Sequence, residues 1–153
     1  MLTRKAKYAL KAMLVLARKG TSDPVFISDL AKQSGVPKKF LELILLELRN
    51  AGLLESKRGK AGGYLLGVPA QEIMVGQVIR AVDGPMAPVP CLSKTAYRRC
   101  DDCVDEGECG VRLALRQAYL ASLAILEKTS LEDTLEMMAD SHDSVAALPM
   151  YNI

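Results

Sequence analysis

The sequence predicts a mainly α fold: a winged helix-turn-helix with a small β-hairpin wing, followed by a long C-terminal helix suited to dimerisation. Three observations carry this expectation. Between Ile27 and Leu66, two short amphipathic segments flank the tight turn Ser34-Gly35-Val36. Directly behind them comes Lys57-Arg58-Gly59-Lys60-Ala61-Gly62-Gly63, with three cations and three glycines between two apolar runs. Further on, residues 111–128, VRLALRQAYLASLAILEK, are apolar on more than one helical face, and one partner cannot cover all of that surface.

Helix one is expected from about Thr3 to Arg18. Its core face carries Ala6, Ala9, Leu10, Met13, Leu14 and Ala17, while Lys5, Lys7, Lys11, Arg18 and Lys19 stand largely off it. Lys5 and Lys7 are candidates for phosphate contact. A loop follows from Gly20 to Pro24. Ser28 is placed as the N-cap of helix two, because its hydroxyl can accept a first-turn amide. That helix stops at Gly35, a residue free to adopt positive φ. Pro37 then opens helix three, where a first-turn proline costs nothing. Leu41, Ile44, Leu45 and Leu48 would bury one stripe of it, through about Asn50.

Two helices across a glycine-containing turn match the helix-turn-helix, whose second helix enters the major groove by its N-terminal part. Lys38, Lys39 and Glu42 lie at that end. The wing should pair Leu53-Leu54-Glu55-Ser56 with Tyr64-Leu65-Leu66, and its basic tip suits a minor groove or a phosphate backbone. The candidate DNA contacts are therefore Ser28, Lys38, Lys39, Glu42, Lys57, Arg58 and Lys60.

Val68-Pro69-Ala70 interrupts the pattern, and Ile73, Val75, Val78, Ile79 and Val82 resume it on a helix ending near Asp83-Gly84-Pro85. A DNA-binding domain thus spans 1–85. The prolines of Met86-Ala87-Pro88-Val89-Pro90 favour a stiff, extended connection into a cysteine-rich sensor loop, 86–110. The long helix, about 27 Å at the usual rise, and a short helix through Leu131, Leu135 and Met138 complete 111–138. Ser130 and Asp133 form the opening of that short helix as a capping box. The tail, 139–153, is expected to be frayed and without regular structure.

Hydrophobic residues make up 50% of the 153 and charged residues 25%, a globular balance. No apolar run is long enough to span a membrane, and the charged start lacks a signal-peptide core, so a cytoplasmic protein with no membrane partner is expected. The net charge of +2 conceals an asymmetry: residues 1–65 hold 13 Lys and Arg against 5 Asp and Glu, whereas the rest carries a net −6. The cations thus concentrate on the part that resembles a DNA-reading head, as counterion release at phosphates requires.

The four cysteines, Cys91, Cys100, Cys103 and Cys109, fall within nineteen residues of the predicted loop. A reducing compartment and an adequate core argue against structural disulfides. Thiolates this close on irregular backbone can converge on one soft metal centre, and both iron-sulfur clusters and zinc accept such a set. A thiol oxidoreductase using Cys100-Asp101-Asp102-Cys103 is a distant alternative. The carboxylates around these thiols disfavour reactive thiolates, and no βαβ pattern precedes the pair. No phosphate-binding glycine loop is present, and a lone His142 leaves no triad, so catalysis is not expected.

The opening MLTRKAKYAL, the segment ISDLAKQSGVPKKFLELILLELRNAGLLESKRGKAGGYLL, Ala81-Val82-Asp83-Gly84-Pro85 and the cysteine loop feeding a long helix together resemble the Rrf-two family of bacterial regulators. This is the family of the iron-sulfur cluster regulator and the nitric-oxide-sensitive repressor. The resemblance covers roughly residues 1 to 137, and RGKAGGYLL is its most specific motif. It implies a homodimeric transcription regulator, joined through the long helix, that reads a pseudo-palindromic operator in double-stranded DNA. It also implies that the loop cysteines hold an iron-sulfur cluster, 2Fe-2S ahead of 4Fe-4S, that controls operator affinity. Structural zinc or a thiol redox switch at the same cysteines is the alternative. Cys103-x5-Cys109 matches the family spacing, and Cys91 fits the first cysteine after an insertion, which leaves Cys100 extra. Arg112 stands where the cluster-assembly regulator has a histidine.

Overall fold

A computed structural model describes residues 2–144, with side chains through Ser141. The elements run α1 (Arg4–Lys19), α2 (Ile27–Ser34), α3 (Lys38–Asn50), β1 (Leu54–Lys57), β2 (Gly63–Leu66), α4 (Val75–Asp83), α5 (Gly110–Leu126) and α6 (Leu131–Ser144). Single 3-10 turns at Ala70–Glu72 and Pro90–Leu92 join them. The mainly helical architecture with a two-stranded hairpin is the winged helix-turn-helix that the sequence predicts.

α1 is the central strut. It starts at Thr3, whose hydroxyl accepts the Ala6 amide at 3.1 Å as an N-cap. Because α2, α3, α4 and α6 all pack on it, its buried arc is wider than one amphipathic stripe. Ala12, Val15 and Leu16 join Ala6, Ala9 and Met13 in the core, whereas Leu10, Leu14 and Ala17 are only partly covered. The small alanines let neighbouring helices approach closely. Lys5 also departs from expectation. Its ammonium reaches the Glu47 carboxylate at 2.7 Å and the Val82 carbonyl at 2.7 Å, tying α1 to α3 and α4. A lysine held in that way is structural, so of the two phosphate candidates on α1 only Lys7 lies exposed.

α2 begins at Ile27, one residue before its expected cap. Val25 pairs with Tyr64 in an antiparallel bridge, with N–H to O distances of 2.8 and 2.9 Å. The extended chain therefore enters the helix through Phe26, which caps without a side-chain hydrogen bond. Ser28 becomes the second helical residue and lies exposed. The turn is as expected: Gly35 takes the left-handed conformation, φ 64°, ψ 29°, and donates its amide to the Ala31 carbonyl. Pro37 caps α3 from outside rather than opening it, and α3 starts at Lys38. Leu41, Ile44, Leu45 and Leu48 are buried as predicted.

In the wing, Leu54 pairs with Leu66 and Lys57 with Gly63, one residue further toward the tip than expected. Two tip glycines are dictated by close approach: a Cβ on Gly62 would sit 2.4 Å from the Lys57 carbonyl oxygen, and one on Gly63 would meet Val25 O at 2.5 Å. Helix α4 starts at Val75 rather than Ile73, because the Gln77 side chain accepts the Met74 amide at 2.7 Å and closes the first turn there. Ile73 stays extended and its carbonyl accepts the Leu131 amide at 2.9 Å.

That contact marks the largest departure from the sequence reading. The last helix does not merely trail the long one. α6 returns to the winged domain, packs on α1, and inserts Leu131 fully into the common core. Its start is the expected capping box, in which Ser130 Oγ accepts from Asp133 N at 3.0 Å and Asp133 Oδ2 from Ser130 N at 2.7 Å. α6 also continues to Ser144, where a frayed tail was expected from 139 onward. The remainder of that tail, 145–153, lies outside the described residues.

Candidate nucleic-acid interface and cysteine centre

The outward face of α3 follows from the burial of its other side. With Leu41, Ile44, Leu45 and Leu48 turned into the core, helical periodicity brings Lys38, Lys39, Glu42, Leu43, Leu46 and Arg49 onto one exposed face. The structure thus brings together the three candidates Lys38, Lys39 and Glu42. Lys39 lies 5.3 Å from the centroid of the Phe40 ring, which itself pairs with Tyr8 at 5.8 Å. Leu43 and Leu46, 55% and 43% exposed, were missed by the sequence reading, although they follow Lys39 at four and seven residues. Arg49 was missed as well, and its guanidinium lies 3.4 Å from the Ser56 hydroxyl on β1 of the wing.

Lys57, Arg58 and Lys60 are all exposed at the hairpin tip, where the glycines hold the backbone in a tight loop. Ser28 is apart from both groups in the chain, in the first turn of α2, where helical amides without intrahelical partners favour an anion.

The cysteine segment is less loose than its composition suggests. Cys91 sits in the Pro90–Leu92 turn and is 6% exposed, while Cys100, Cys103 and Cys109 are half-buried. All four line one cleft of about 370 Å³, together with Asp102, Asp105, Glu108 and Arg112. Hydrogen bonds brace the walls. Arg99 donates to the carbonyls of Cys103 and Val104 at 3.0 and 2.9 Å. Tyr97 donates to the Glu106 carboxylate, and Arg112 reaches the Glu106 carbonyl at 3.3 Å.

Burial pushes the Cys100 thiol above its ordinary pKa, and the adjoining Cys91, Asp102 and Cys103 push it further in the same direction. Cys100 thus shares the cleft with Cys91 and the other two cysteines. A raised thiol is a poor nucleophile at neutral pH, and a metal binding it must displace its proton. No three His, Cys, Asp or Glu side chains among the described residues are already gathered on a single metal-ion point. Four soft donors spaced around one cleft nevertheless fit a cluster with several metal atoms, because such a group distributes its ligands over its own width.

Behind the cleft runs α5, seventeen residues or about 26 Å long. The Cys109 carbonyl accepts the Leu113 amide at 2.9 Å, so the last cysteine is also the helix start. None of the α5 residues is buried. Arg112, Tyr119, Leu120, Leu123 and Leu126 are half-covered by the chain's own winged domain and loop, whereas Val111, Ala114, Leu115, Ala118, Ala121 and Ile125 share an exposed face. At its far end, Glu127 pairs with Arg80 of α4 through both guanidinium nitrogens. Among the described residues, no helix is long and apolar enough to cross a membrane.

The Rrf2 sequence model, described as an iron-dependent transcriptional regulator, matches residues 2–137. An rrf2-like HTH-type transcriptional regulator of Rhodobacter capsulatus is 44% identical over 138 residues, 88% of this chain and 92% of that protein. The HTH-type transcriptional regulator IscR of Cronobacter sakazakii is 41% identical over 103 residues. That alignment takes in 67% of this chain and 64% of the relative, just under two thirds of its length. The structure of CymR, the global cysteine regulator of B. subtilis, superposes with a TM-score of 0.70 at 30% identity, covering 90% of this chain and 97% of that one. The winged head, its wing and the helix behind the cysteine cleft are thus shared as one unit, and the chain belongs to the Rrf2 family of DNA-binding transcriptional regulators, which are not enzymes.

Proposed function

We propose that the protein acts in the cytoplasm as a homodimer on a pseudo-palindromic operator, with its affinity set by an iron-sulfur cluster on Cys91, Cys100, Cys103 and Cys109. The observation that carries this reading is the single cleft shared by all four cysteines, at the foot of a helix whose other face is uncovered apolar surface. Cys91, Cys100, Cys103 and Cys109 would hold the cluster, which would supply a covalent link between the cysteine segment and the start of α5.

At the DNA, Lys38 and Lys39 donate to guanine edges or phosphates in the major groove, and Glu42 accepts from cytosine while repelling phosphate. Lys57, Arg58 and Lys60 enter the minor groove or follow the backbone, and Ser28 hydrogen-bonds a phosphate from the start of α2. The dimer forms along α5. Val111, Ala114, Ala118, Ala121 and Ile125 recur at alternating intervals of three and four, which is the spacing of a two-helix seam. Alanines at its centre let two copies of α5 approach closely. Leu123, by contrast, faces the chain's own domain.

The loop, helix and head are mechanically continuous. Cys109 begins α5, the Arg80–Glu127 pair fixes its end to α4, and α6 returns to α1. Tightening or releasing the loop therefore changes how each head sits against the dimer axis. The difference in contacts between the two states limits the effect to about 1–3 kcal/mol of coupling, roughly five- to 150-fold in operator affinity. Anaerobic purification followed by a visible spectrum and iron, sulfide and zinc analysis tests the reading. A coloured protein with iron and sulfide whose operator affinity changes on cluster removal supports it. A colourless zinc protein, or thiols that control affinity without metal, replaces it.

A further inference from the structure

We propose that Arg112 is the counter-charge of the cysteine centre, the group that offsets the negative charge of the bound cluster and raises its reduction potential. The proposal rests on the cluster reading above. Arg112 is the third residue of α5 and lines the cleft with all four cysteines. Its guanidinium is only partly used: Nη1 reaches the Glu106 carbonyl at 3.3 Å and stands 3.8 Å from the Glu106 carboxylate. Nε is buried and has no hydrogen-bond partner among the described residues. A buried donor without an acceptor is costly. Cluster sulfides and cysteine thiolates are acceptors of the kind that hydrogen bonds from surrounding side chains tune.

The charges in the cleft wall lead to the same assignment. Asp102, Asp105 and Glu108 contribute three carboxylates, and Arg112 is the one cation among the lining residues. Arg99, which might have shared the task by charge alone, is turned to the carbonyls of Cys103 and Val104. Four thiolates on a 2Fe-2S core of charge +2 leave a net −2, and one electron from a reductant makes it −3. Each carboxylate opposes that electron, and Arg112 favours it. The start of α5 adds to the same sense, because helix N-termini favour negative charge. Arg112 touches no reacting substrate and acts as a positioning and tuning residue.

The test compares anaerobically purified full-length wild type, Arg112→Gln and Arg112→Lys by iron and sulfide content, visible spectrum and dye-mediated redox titration. Arg112→Gln should keep the cluster but shift the midpoint to more negative potential. The expected size is about a tenfold change in the reduction equilibrium, or ~59 mV for one electron. Arg112→Lys should restore most of the wild-type potential, since charge rather than shape carries the effect. Loss of cluster from Arg112→Gln but not from Arg112→Lys would also support the assignment. Equal potentials in three cluster-bearing proteins overturn it, as does cluster loss from both variants, which would make Arg112 a packing residue. A wild type without iron or sulfide overturns the cluster reading instead, and so separates the two failures.

Discussion

The winged head and α5 are made of similarly apolar sequence, yet they stand in opposite relations to the rest of the chain. In the head, Met13, Leu16, Leu30, Leu41 and Leu45 are wholly enclosed by their own chain. In α5, none of the seventeen residues is buried, and Val111, Leu113 and Ile125 are 60%, 55% and 65% exposed. Apolar content alone therefore says little about where a helix finds its partner. The head has its whole core in one chain. α5 leaves its apolar face uncovered and the cysteine cleft opens beside it, and the proposed second copy and cluster are what would complete them.

The largest effect that tests this contrast is on stability. Leu45→Ala should destabilise the fold by about 2–5 kcal/mol, because it opens a cavity in a fully closed core. Leu113→Ala, on exposed α5 surface, should stay within about 0.5 kcal/mol. Denaturant melts of the two variants measure the difference directly, and equal losses would mean that α5 is integrated into the monomer. The seam comes next. Ala118→Asp would place an unpaired carboxylate between two apolar helix faces and so oppose their association. Sedimentation should show monomer while circular dichroism still shows a folded head. A surviving dimer would move the interface off this face.

Smaller effects are expected on DNA binding, and here the two regions should act differently. Cys103→Ala should abolish the cluster and remove the coupling of about 1–3 kcal/mol, so holo-like and apo-like preparations would bind the operator alike. Arg58→Ala should cost a similar 1–3 kcal/mol of specific affinity at matched salt, yet leave the response to cluster removal unchanged. Operator titrations on holo and apo samples of each variant separate the two. If Arg58→Ala abolished the cluster response, the division between reader and sensor would fail.

How much of this was legible in the sequence depends on the range of the forces involved. The Gly35 turn, the leucine stripe of α3 and the glycine-bearing wing were readable because neighbouring residues dictate them. The Ser28 cap was misplaced for a non-local reason, the Val25–Tyr64 bridge, which moves the cap of α2 two residues earlier, to Phe26. Lys5 read as a surface cation because its partners, Glu47 and the Val82 carbonyl, lie 42 and 77 residues away. At the candidate site the cysteine spacing was plain. Their meeting in one cleft and the unpartnered Nε of Arg112 both depend on how an irregular loop closes, for which periodicity offers no rule.

The smallest test lies at the junction where α5 hands the chain back to the core. Ser130 caps α6 by accepting the Asp133 amide, and the Asp133 carboxylate accepts both the backbone N–H and the hydroxyl of Ser130, each at 2.7 Å. Those two hydrogen bonds, backbone first, hold the Asp133 carboxyl below its ordinary pKa. A depressed carboxylate contributes stability that is complete above the unfolded-state value and is lost as pH falls through the lower folded-state value. Ser130→Ala removes the cap, at a cost of about 1 kcal/mol at neutral pH, and should let Asp133 titrate nearer its ordinary value. Denaturant melts from pH 7 down to about pH 3, alongside an NMR titration of Asp133, should therefore show wild type and variant converging as acid protonates the carboxylate. Because Leu131 belongs to the core and α5 does not, that loss should appear in the unfolding of the head with no change in the dimer. A variant that weakened dimerisation while leaving the melt unchanged would assign this junction to the α5 side of the molecule.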